Sequence, residues 1–222
     1  PFGYPAGLAG ALPGRAGPCA VWDWLAGRVE DAPNSDNRFA LAGQINRALG
    51  QGAGPFWGRP ASMPVPGLAT DRAGYRNPFP ERRACDRRAQ GAFTCWQLAY
   101  AGAVGSQMIM GLPVLDRLCR RFAGQVAVWP FEPPDRPVAF VEIWPSLIRD
   151  AVARTVGPQD ILGPRDIKDR VQVRLMARAA ARLQAEGGLA ALLADVPEGA
   201  PRQEEGWILG LGHEAALDRA AG

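Results

Sequence analysis

The sequence predicts an α/β protein in which helices flank a few central strands. Apolar residues return every three or four positions in the first fifty residues and again over residues 171–183, as on one face of a helix. Between them lie two short apolar runs rich in β-branched and aromatic residues, QVAVWPF and VAFVEIW, which indicate strands. Helices on both sides of such strands define the α/β class.

Composition favours a globular chain of modest charge. Its 222 residues are 47% apolar and 21% charged, which excludes an intrinsically disordered protein. The net charge is +3, and Lys168 is the single lysine among 25 basic residues. Such an excess of arginine indicates nucleic-acid binding only where the arginines are gathered on one face of the molecule.

The cysteines favour a cytoplasmic protein with reduced thiols. Cys19, Cys85, Cys95 and Cys119 form no CxxC pair, and the lone His213 does not complete a zinc site. Widely spaced free cysteines behave as small apolar residues, so we expect them to be buried and reduced. No uninterrupted apolar run reaches the length of about 18 residues that a membrane span requires, so no membrane partner is expected.

The N-terminal third is predicted to be helical and then to enter a long loop. Asp36 is placed to cap a helix that Gly50 ends. Residues 50–80 are dense in glycine and proline and have no period, which predicts a loop. A loop of this length in a globular domain is usually functional or disordered.

The central part combines helices with the two strands. Residues 99–115 are expected to form a core helix that ends at Pro113, and a second helix is expected to end near Gly124. The strands over 125–131 and 138–144 are separated by the turn EPPDRP. So short a link favours an antiparallel hairpin, because parallel strands need a crossover of about a dozen residues or more.

The C-terminal third is predicted to contain two further helices. The first begins at Ser146 or Asp150, and the longest begins after Asp166. Its apolar face consists of Val171, Leu175, Ala179 and Leu183.

Acidic residues supply the candidate functional site. Glu142 lies inside the apolar run VAFVEIWP, where an unpaired buried carboxylate is costly and a metal ion or a cation removes the cost. The alternative is a strand-end glutamate that reaches water or pairs with an arginine. Asp166 and Asp169 share one side of the first turn of the long helix, either as ligands or simply as helix-start acids favoured by capping and the dipole. Asp86, in RRACDRR, is either a site residue or the ion-pair partner of Arg83 or Arg82.

Five segments, PFGYPAG, RRACDRR, VEIWPS, DIKDRVQVRLMARA and EEGWILGLG, resemble in this order an uncharacterised bacterial family of RNase-H-like nucleases. The resemblance implies one α/β domain over residues 1–222, with a mixed sheet flanked by helices. In that family a strand ending in Asp precedes the PFGYP segment, and an earlier strand carries a further acid. The chain is therefore expected to be the C-terminal part of a longer domain and to lack catalytic activity by itself.

Three residues match positions at which the family has catalytic acids, so the resemblance implies that they are catalytic. Glu142 matches the acid of an ExYP-like motif, with Trp144 at the position where Tyr is common. Asp169 matches the acid that opens the last long helix, with Arg170 in place of Ala, and Asp86 matches the acid of an RxxD/E segment.

In RNase-H-like enzymes clustered carboxylates hold divalent metals that activate water against a phosphodiester. The resemblance therefore implies a metal-dependent phosphodiester hydrolase that acts on nucleic acid, with Glu142, Asp169 and Asp166 as ligands of Mg²⁺ or Mn²⁺. Relatives labelled as molybdopterin guanine dinucleotide or cobalamin biosynthesis proteins suggest an alternative partner, a nucleotide-containing cofactor. A third possibility is a non-catalytic binding module on the same scaffold.

Overall fold

The computed structural model describes residues 1–12, 14–15, 17–50, 52–156 and 167–222, which belong to two units. The first unit comprises residues 1–140 and 197–207, and the second comprises residues 141–196 and 208–222. The chain therefore crosses between the units after residues 140, 196 and 207. The single α/β domain expected from the resemblance stays a prediction.

The helices of the first unit lie where the apolar periodicity predicts them, apart from the short helix in the charge-rich segment RRACDRR, which had no such pattern. They are α1 (Leu8–Ala11), α2 (Ala20–Ala26), α3 (Arg38–Ala48), α4 (Ala84–Arg88) and α5 (Gly105–Arg121). Helix α2 packs along α5, and both contribute buried side chains to a core rich in aromatic residues. Asp36 accepts the N–H of Arg38 at 3.0 Å, so it satisfies a donor at the start of α3, as its sequence position predicts.

Helix α5 does not end at Pro113, and that prediction is wrong. Pro113 lies inside the helix and is buried. Proline removes one N–H donor from the helix interior and crowds the carbonyl of Ile109. Met108, Ile109 and Leu112 lie in the core of the unit, and their burial outweighs this local penalty.

The predicted hairpin is also wrong, because the two strands run parallel. Strand β3 (Val126–Val128) pairs with β4 (Val138–Phe140), with Val126 opposite Val138. The chain turns directly after β3, where the N–H of Glu132 donates to the carbonyl of Val128 at 2.9 Å. It then returns to the beginning of β3, where Arg136 donates to the carbonyl of Val126. Residues 129–137 thus make a short loop that starts β4 beside the start of β3.

The long loop of the first unit is attached to α3 by one buried amide. Asn46 is fully buried, and its Nδ2 donates to the carbonyls of Phe56 and Gly67, each at 2.8 Å. Its Oδ1 accepts the N–H of Phe56 at 2.9 Å. Over residues 52–80 the structure has no helix and no strand beyond isolated bridges at Trp57. The Asn46 side chain therefore supplies hydrogen bonds to backbone groups of Phe56 and Gly67 in this loop.

The second unit is mainly helical. It contains a 3₁₀ turn (Pro145–Ile148) and the helices α6 (Arg149–Val156), α7 (Lys168–Ala185), α8 (Leu189–Ala194) and α9 (Glu214–Ala221). The predicted long helix is confirmed as α7, and its apolar face is buried largely against α9. Glu142 forms an isolated parallel bridge with Ile208.

Together these elements are compatible with the α/β class. The structure is 45% helical and 7% strand, and its sheets are small. One is the β3–β4 pair, and the other is an antiparallel ribbon of β1 (Asp31–Ala32) and β2 (Ser35–Asp36). Within the described ranges, no helix is both long enough and apolar enough to cross a membrane.

Candidate functional site

Three of the family-like segments meet in the first unit around Glu205. This residue belongs to a π-helical turn (Pro201–Glu205) and is 3% exposed. Its Oε1 accepts the N–H of Ala6 at 3.0 Å, and its Oε2 accepts the N–H of Ala84 at 2.7 Å. One buried carboxylate therefore joins PFGYPAG to RRACDRR.

Asp86 is paired with Arg83 within the same network. Arg83 Nε donates to Oδ2 at 2.9 Å and Nη2 donates to Oδ1 at 2.8 Å, and both side chains are buried. Arg83 Nη1 also donates to the carbonyl of Glu205 at 3.0 Å. Of the two possibilities drawn from the sequence, the structure thus shows Asp86 in the ion pair with Arg83, with both carboxylate oxygens accepting hydrogen bonds.

Glu204 holds the start of α1. Its Oε2 accepts the N–H of Gly7 at 2.9 Å and its Oε1 accepts the N–H of Ala9 at 2.7 Å. A carboxylate at this position satisfies N–H groups that lack partners at a helix start and interacts favourably with the helix dipole. Sequence reasoning missed Glu204 and Glu205, because their partners lie between 121 and 199 residues away along the chain. The only indication of them in the sequence was that two adjacent acids directly precede Gly206 and Trp207.

Aromatic side chains complete the attachment of the PFGYPAG segment. Tyr4 stacks on Trp96 with ring centroids 5.5 Å apart and meets Phe56 edge-on at 5.9 Å. Trp22 Nε1 donates to the carbonyl of Phe2 at 2.6 Å. Burial raises the pKa of Tyr4 well above its ordinary value. The first-unit network thus fixes backbone segments, and the oxygens of its carboxylates are occupied by N–H donors.

Of the remaining predicted acids, Glu142 and Asp169 are described and lie in the second unit. Glu142 is 7% exposed, and its carbonyl accepts the N–H of Leu209 at 2.9 Å. Asp169 is exposed in the first turn of α7, a position that the helix dipole favours without any ligand. Asp166 lies outside the described residues. The catalytic roles of these acids stay predictions.

The predicted metal centre of Glu142, Asp169 and Asp166 stays a prediction, because Asp166 lies outside the described residues. Carboxylate oxygens suit Mg²⁺ or Mn²⁺ in kind, but Mg²⁺ needs several of them or water around one point. In the part of the chain that the structure describes, no three His, Cys, Asp or Glu side chains are grouped to hold a metal ion. Asp86 is engaged by Arg83. The described residues therefore supply only part of the predicted ligand set, namely Glu142 and Asp169.

Helix α7 carries a line of positive charge that we call the arginine ridge. Its members, Arg170, Arg174, Arg178 and Arg182, recur every four residues, and all are exposed. Positions four apart are neighbours on a helix surface, with a rise of about 6 Å between them. Asp169 is the sole acidic residue of α7. The ridge is therefore a run of four exposed arginines about 18 Å long.

Two arginines of the ridge are anchored to the end of α9. Arg182 Nη1 donates to the carbonyl of Ala220 at 3.1 Å, and Arg178 Nη1 donates to the carbonyl of Ala221 at 3.5 Å. These contacts also complement the negative end of the α9 dipole. Beside the ridge lies a parallel strip of exposed small or β-branched residues, namely Val173, Ala177, Ala181 and Ala185.

Comparison of the chain with models of protein families, with curated proteins and with solved structures gives no significant match. The resemblance to RNase-H-like nucleases therefore stays an expectation from the five segments. What the chain does must accordingly be inferred from its own geometry.

Proposed function

We propose that the chain is the nucleic-acid-binding part of an RNase-H-like phosphodiester hydrolase, and that the arginine ridge contacts the phosphate backbone. The observation that carries the proposal is the exposure of four arginines at four-residue intervals on one helix. The overall charge of +3 was uninformative, because it did not say where the arginines lie. Their alignment on α7 supplies the clustering that nucleic-acid binding requires.

The chemistry of the ridge suits phosphate. A guanidinium presents a rigid fork of donors that binds phosphate oxygens in pairs, and neutralising phosphates releases counterions. The neighbouring strip of Val173 and alanines has side chains too short to hold a polyanion away from the helix. Arg178 and Arg182 are oriented by the carbonyls at the end of α9, so less side-chain freedom is lost when they bind.

Hydrolysis is the activity that the resemblance implies, and Glu142 and Asp169 are the acids that we propose for it. Asp169 precedes the first arginine of the ridge, which would bring a bound backbone near this carboxylate. A divalent metal, when bound, would supply an activated water and charge stabilisation. Since the described acids do not form a complete site, the proposal requires further carboxylates, of which Asp166 is one candidate.

The binding proposal is tested by fluorescence anisotropy with a labelled single-stranded 20-mer DNA at several salt concentrations. Arg174→Gln should weaken binding and reduce the slope of log affinity against log salt by about 0.7, as expected for one lost contact to single-stranded phosphate. Arg82→Gln removes an equal charge from an exposed site in the first unit and serves as the control. Equal effects of the two substitutions would contradict a role for the ridge.

The hydrolysis proposal is tested with the full-length product of the gene, Mg²⁺ or Mn²⁺ and the same oligonucleotide. Glu142→Gln and Asp169→Asn should each abolish cleavage while leaving binding intact. Cleavage that is unaffected by both substitutions, or absent in the full-length protein, would exclude the proposed acids.

A non-catalytic binding module is the second candidate function. The Arg83–Asp86 pair favours it, because one of the three proposed catalytic acids already serves a structural bond. This candidate predicts nucleic-acid binding through the ridge without metal-dependent cleavage in the full-length protein. The two assays described for the hydrolase therefore separate the candidates.

A further inference from the structure

A cleft in the second unit combines an apolar wall with two cationic side chains. It has a volume of about 210 Å³ and lies between the 3₁₀ turn with α6 on one side and the start of α7 on the other. Arg149 and Lys168 line it, together with the polar side chains of Ser146 and Gln172. We propose that this cleft binds a small phosphate monoester.

The charges that line the cleft are all positive. Among the residues that the structure describes, Arg149 and Lys168 are the charged residues that line it, and none of the described carboxylates does. Among the described residues, neither cation takes part in an ion pair. The adjacent acids Asp150 and Asp169 are exposed and do not line the cleft. Two cations beside a hydroxyl and an amide match the charge and the hydrogen-bonding capacity of a phosphate dianion.

The start of α7 adds to this preference. Lys168 is the first residue of the helix, and Ile167 before it has no side-chain acceptor for the N–H groups of the first turn. These N–H groups and the positive end of an 18-residue helix favour an anion at the Lys168 side of the cleft. The helix end is a secondary contribution, because the cleft and its two cations define the site.

The apolar wall and the volume restrict the ligand further. Val152 and Val156 belong to the wall, so an ester with a compact apolar group gains more than inorganic phosphate does. Sites for drug-sized ligands usually occupy about 300–1,000 Å³, so this cleft suits a smaller molecule. Phenyl phosphate has the required charge and a compact ring and is a suitable probe.

This proposal is independent of the arginine ridge. None of the four ridge arginines lines the cleft. A substitution in the ridge therefore provides a matched control with the same loss of charge.

The test is a calorimetric titration of the chain with phenyl phosphate, with benzyl alcohol and inorganic phosphate as comparison ligands. Phenyl phosphate should bind saturably at one site, inorganic phosphate more weakly and benzyl alcohol not measurably. Lys168→Met and Arg149→Met should each weaken binding about tenfold or more. Ala153→Phe, which fills the cleft without changing charge, should abolish it, and Arg174→Met should leave it unchanged.

The single lysine provides an independent readout. Acetylation of Lys168 by an N-hydroxysuccinimide ester, followed by mass spectrometry, should slow when phenyl phosphate is bound. Absence of binding, equal binding of benzyl alcohol, no protection of Lys168, or equal losses in Lys168→Met and Arg174→Met would overturn the proposal. If Ala153→Phe fails to fold, as judged by circular dichroism, the charge variants and the protection assay still decide.

Discussion

Arg83 and Asp86 are joined by two hydrogen bonds, Nε to Oδ2 at 2.9 Å and Nη2 to Oδ1 at 2.8 Å. Both side chains are buried, at 1% and 5% exposure. Because Arg83 also donates to the carbonyl of Glu205, the pair belongs to the contact between RRACDRR and the π-helical turn. A buried pair of this kind is costly to break from one side, since the remaining charge has no partner.

We therefore expect Arg83→Met to reduce the free energy of unfolding by about 3–5 kcal/mol. The measurement is urea denaturation followed by circular dichroism. Arg82→Met alters the adjacent, exposed arginine and should change stability by no more than about 0.5 kcal/mol. Similar values for the two variants would show that the pair contributes little to the fold.

Gly3 is required by a close backbone contact. A Cβ at this position would lie 2.1 Å from the carbonyl oxygen of Glu204 and 2.6 Å from that of Glu205. Gly3→Ala should destabilise the protein by about 1–3 kcal/mol, because backbone atoms must move. Gly10→Ala is the control, since a Cβ there meets nothing within 4 Å and alanine favours the helix by about 0.5–1 kcal/mol. The midpoint temperature of thermal unfolding should therefore fall in Gly3→Ala and rise in Gly10→Ala. Equal shifts in the two variants would contradict the close contact at Gly3.

The hydroxyl of Tyr4 is buried without a hydrogen-bond partner in the described structure. Removing an unpaired buried polar group relieves its desolvation cost, so Tyr4→Phe should leave stability unchanged or raise it by up to about 1 kcal/mol. In contrast, the hydroxyl of Tyr75 donates to Glu81 at 3.1 Å and accepts from Asn77 at 3.0 Å. Tyr75→Phe should therefore lower the free energy of unfolding. Urea denaturation of both variants measures the two changes, and a loss of stability in Tyr4→Phe as large as that in Tyr75→Phe would contradict the prediction.

Burial makes the fold sensitive to alkaline pH. Desolvation raises the pKa of Cys19 to about 12 and raises the pKa values of Cys95 and Tyr4 well above their ordinary values. The folded state thus keeps protons that the unfolded chain releases from about pH 8.5 upward. The stability that these three groups contribute should be fully present below this pH and should be lost as the pH rises toward 12.

The measurement is the free energy of unfolding at intervals from pH 7 to pH 11. Cys19→Ala should make the decrease of stability with pH less steep, by the slope that corresponds to about one proton per molecule, because the substitution removes one thiol whose pKa is raised. Iodoacetamide at pH 8 should modify Cys19 far more slowly in the native than in the unfolded chain, since the thiolate is the nucleophile. A flat stability profile would contradict the raised pKa values.

Local patterns were sufficient to predict the longest helix but not the pairing of the strands. The spacing of Val171, Leu175, Ala179 and Leu183 is a local property of the chain, and α7 buries these residues. The direction of β4 depends instead on how residues 129–137 return to the start of β3, which the composition of the turn does not encode. Pro113 is a similar case, because the penalty of a proline inside a helix is local, whereas the continuation of α5 beyond it depends on how the helix packs in its unit.

The sequence predicted those features of the candidate site that depend on residues close together in the chain. The apolar residues around Glu142 indicated a buried carboxylate, and Arg83 was one of two named partners for Asp86. The roles of Glu204 and Glu205 could not be inferred from the sequence. A carboxylate that accepts hydrogen bonds from backbone N–H groups has no sequence signature, and the N–H groups that donate to these two residues lie far away along the chain. The arginine ridge could be recognised only from the helix itself, because a helix places residues four apart next to each other on its surface.

The carboxylates of Glu204 and Glu205 also impose an order on biosynthesis. Ala6, Gly7 and Ala84 emerge early during translation, but their side-chain acceptors are made only after the whole segment 141–196. Domains usually fold as units from the N-terminus while the chain is synthesised. The first unit therefore gains these hydrogen bonds only after Glu204 and Glu205 have been synthesised, and a chain that stalls before Glu204 would lack the acceptors for the N–H groups of Ala6, Gly7 and Ala84.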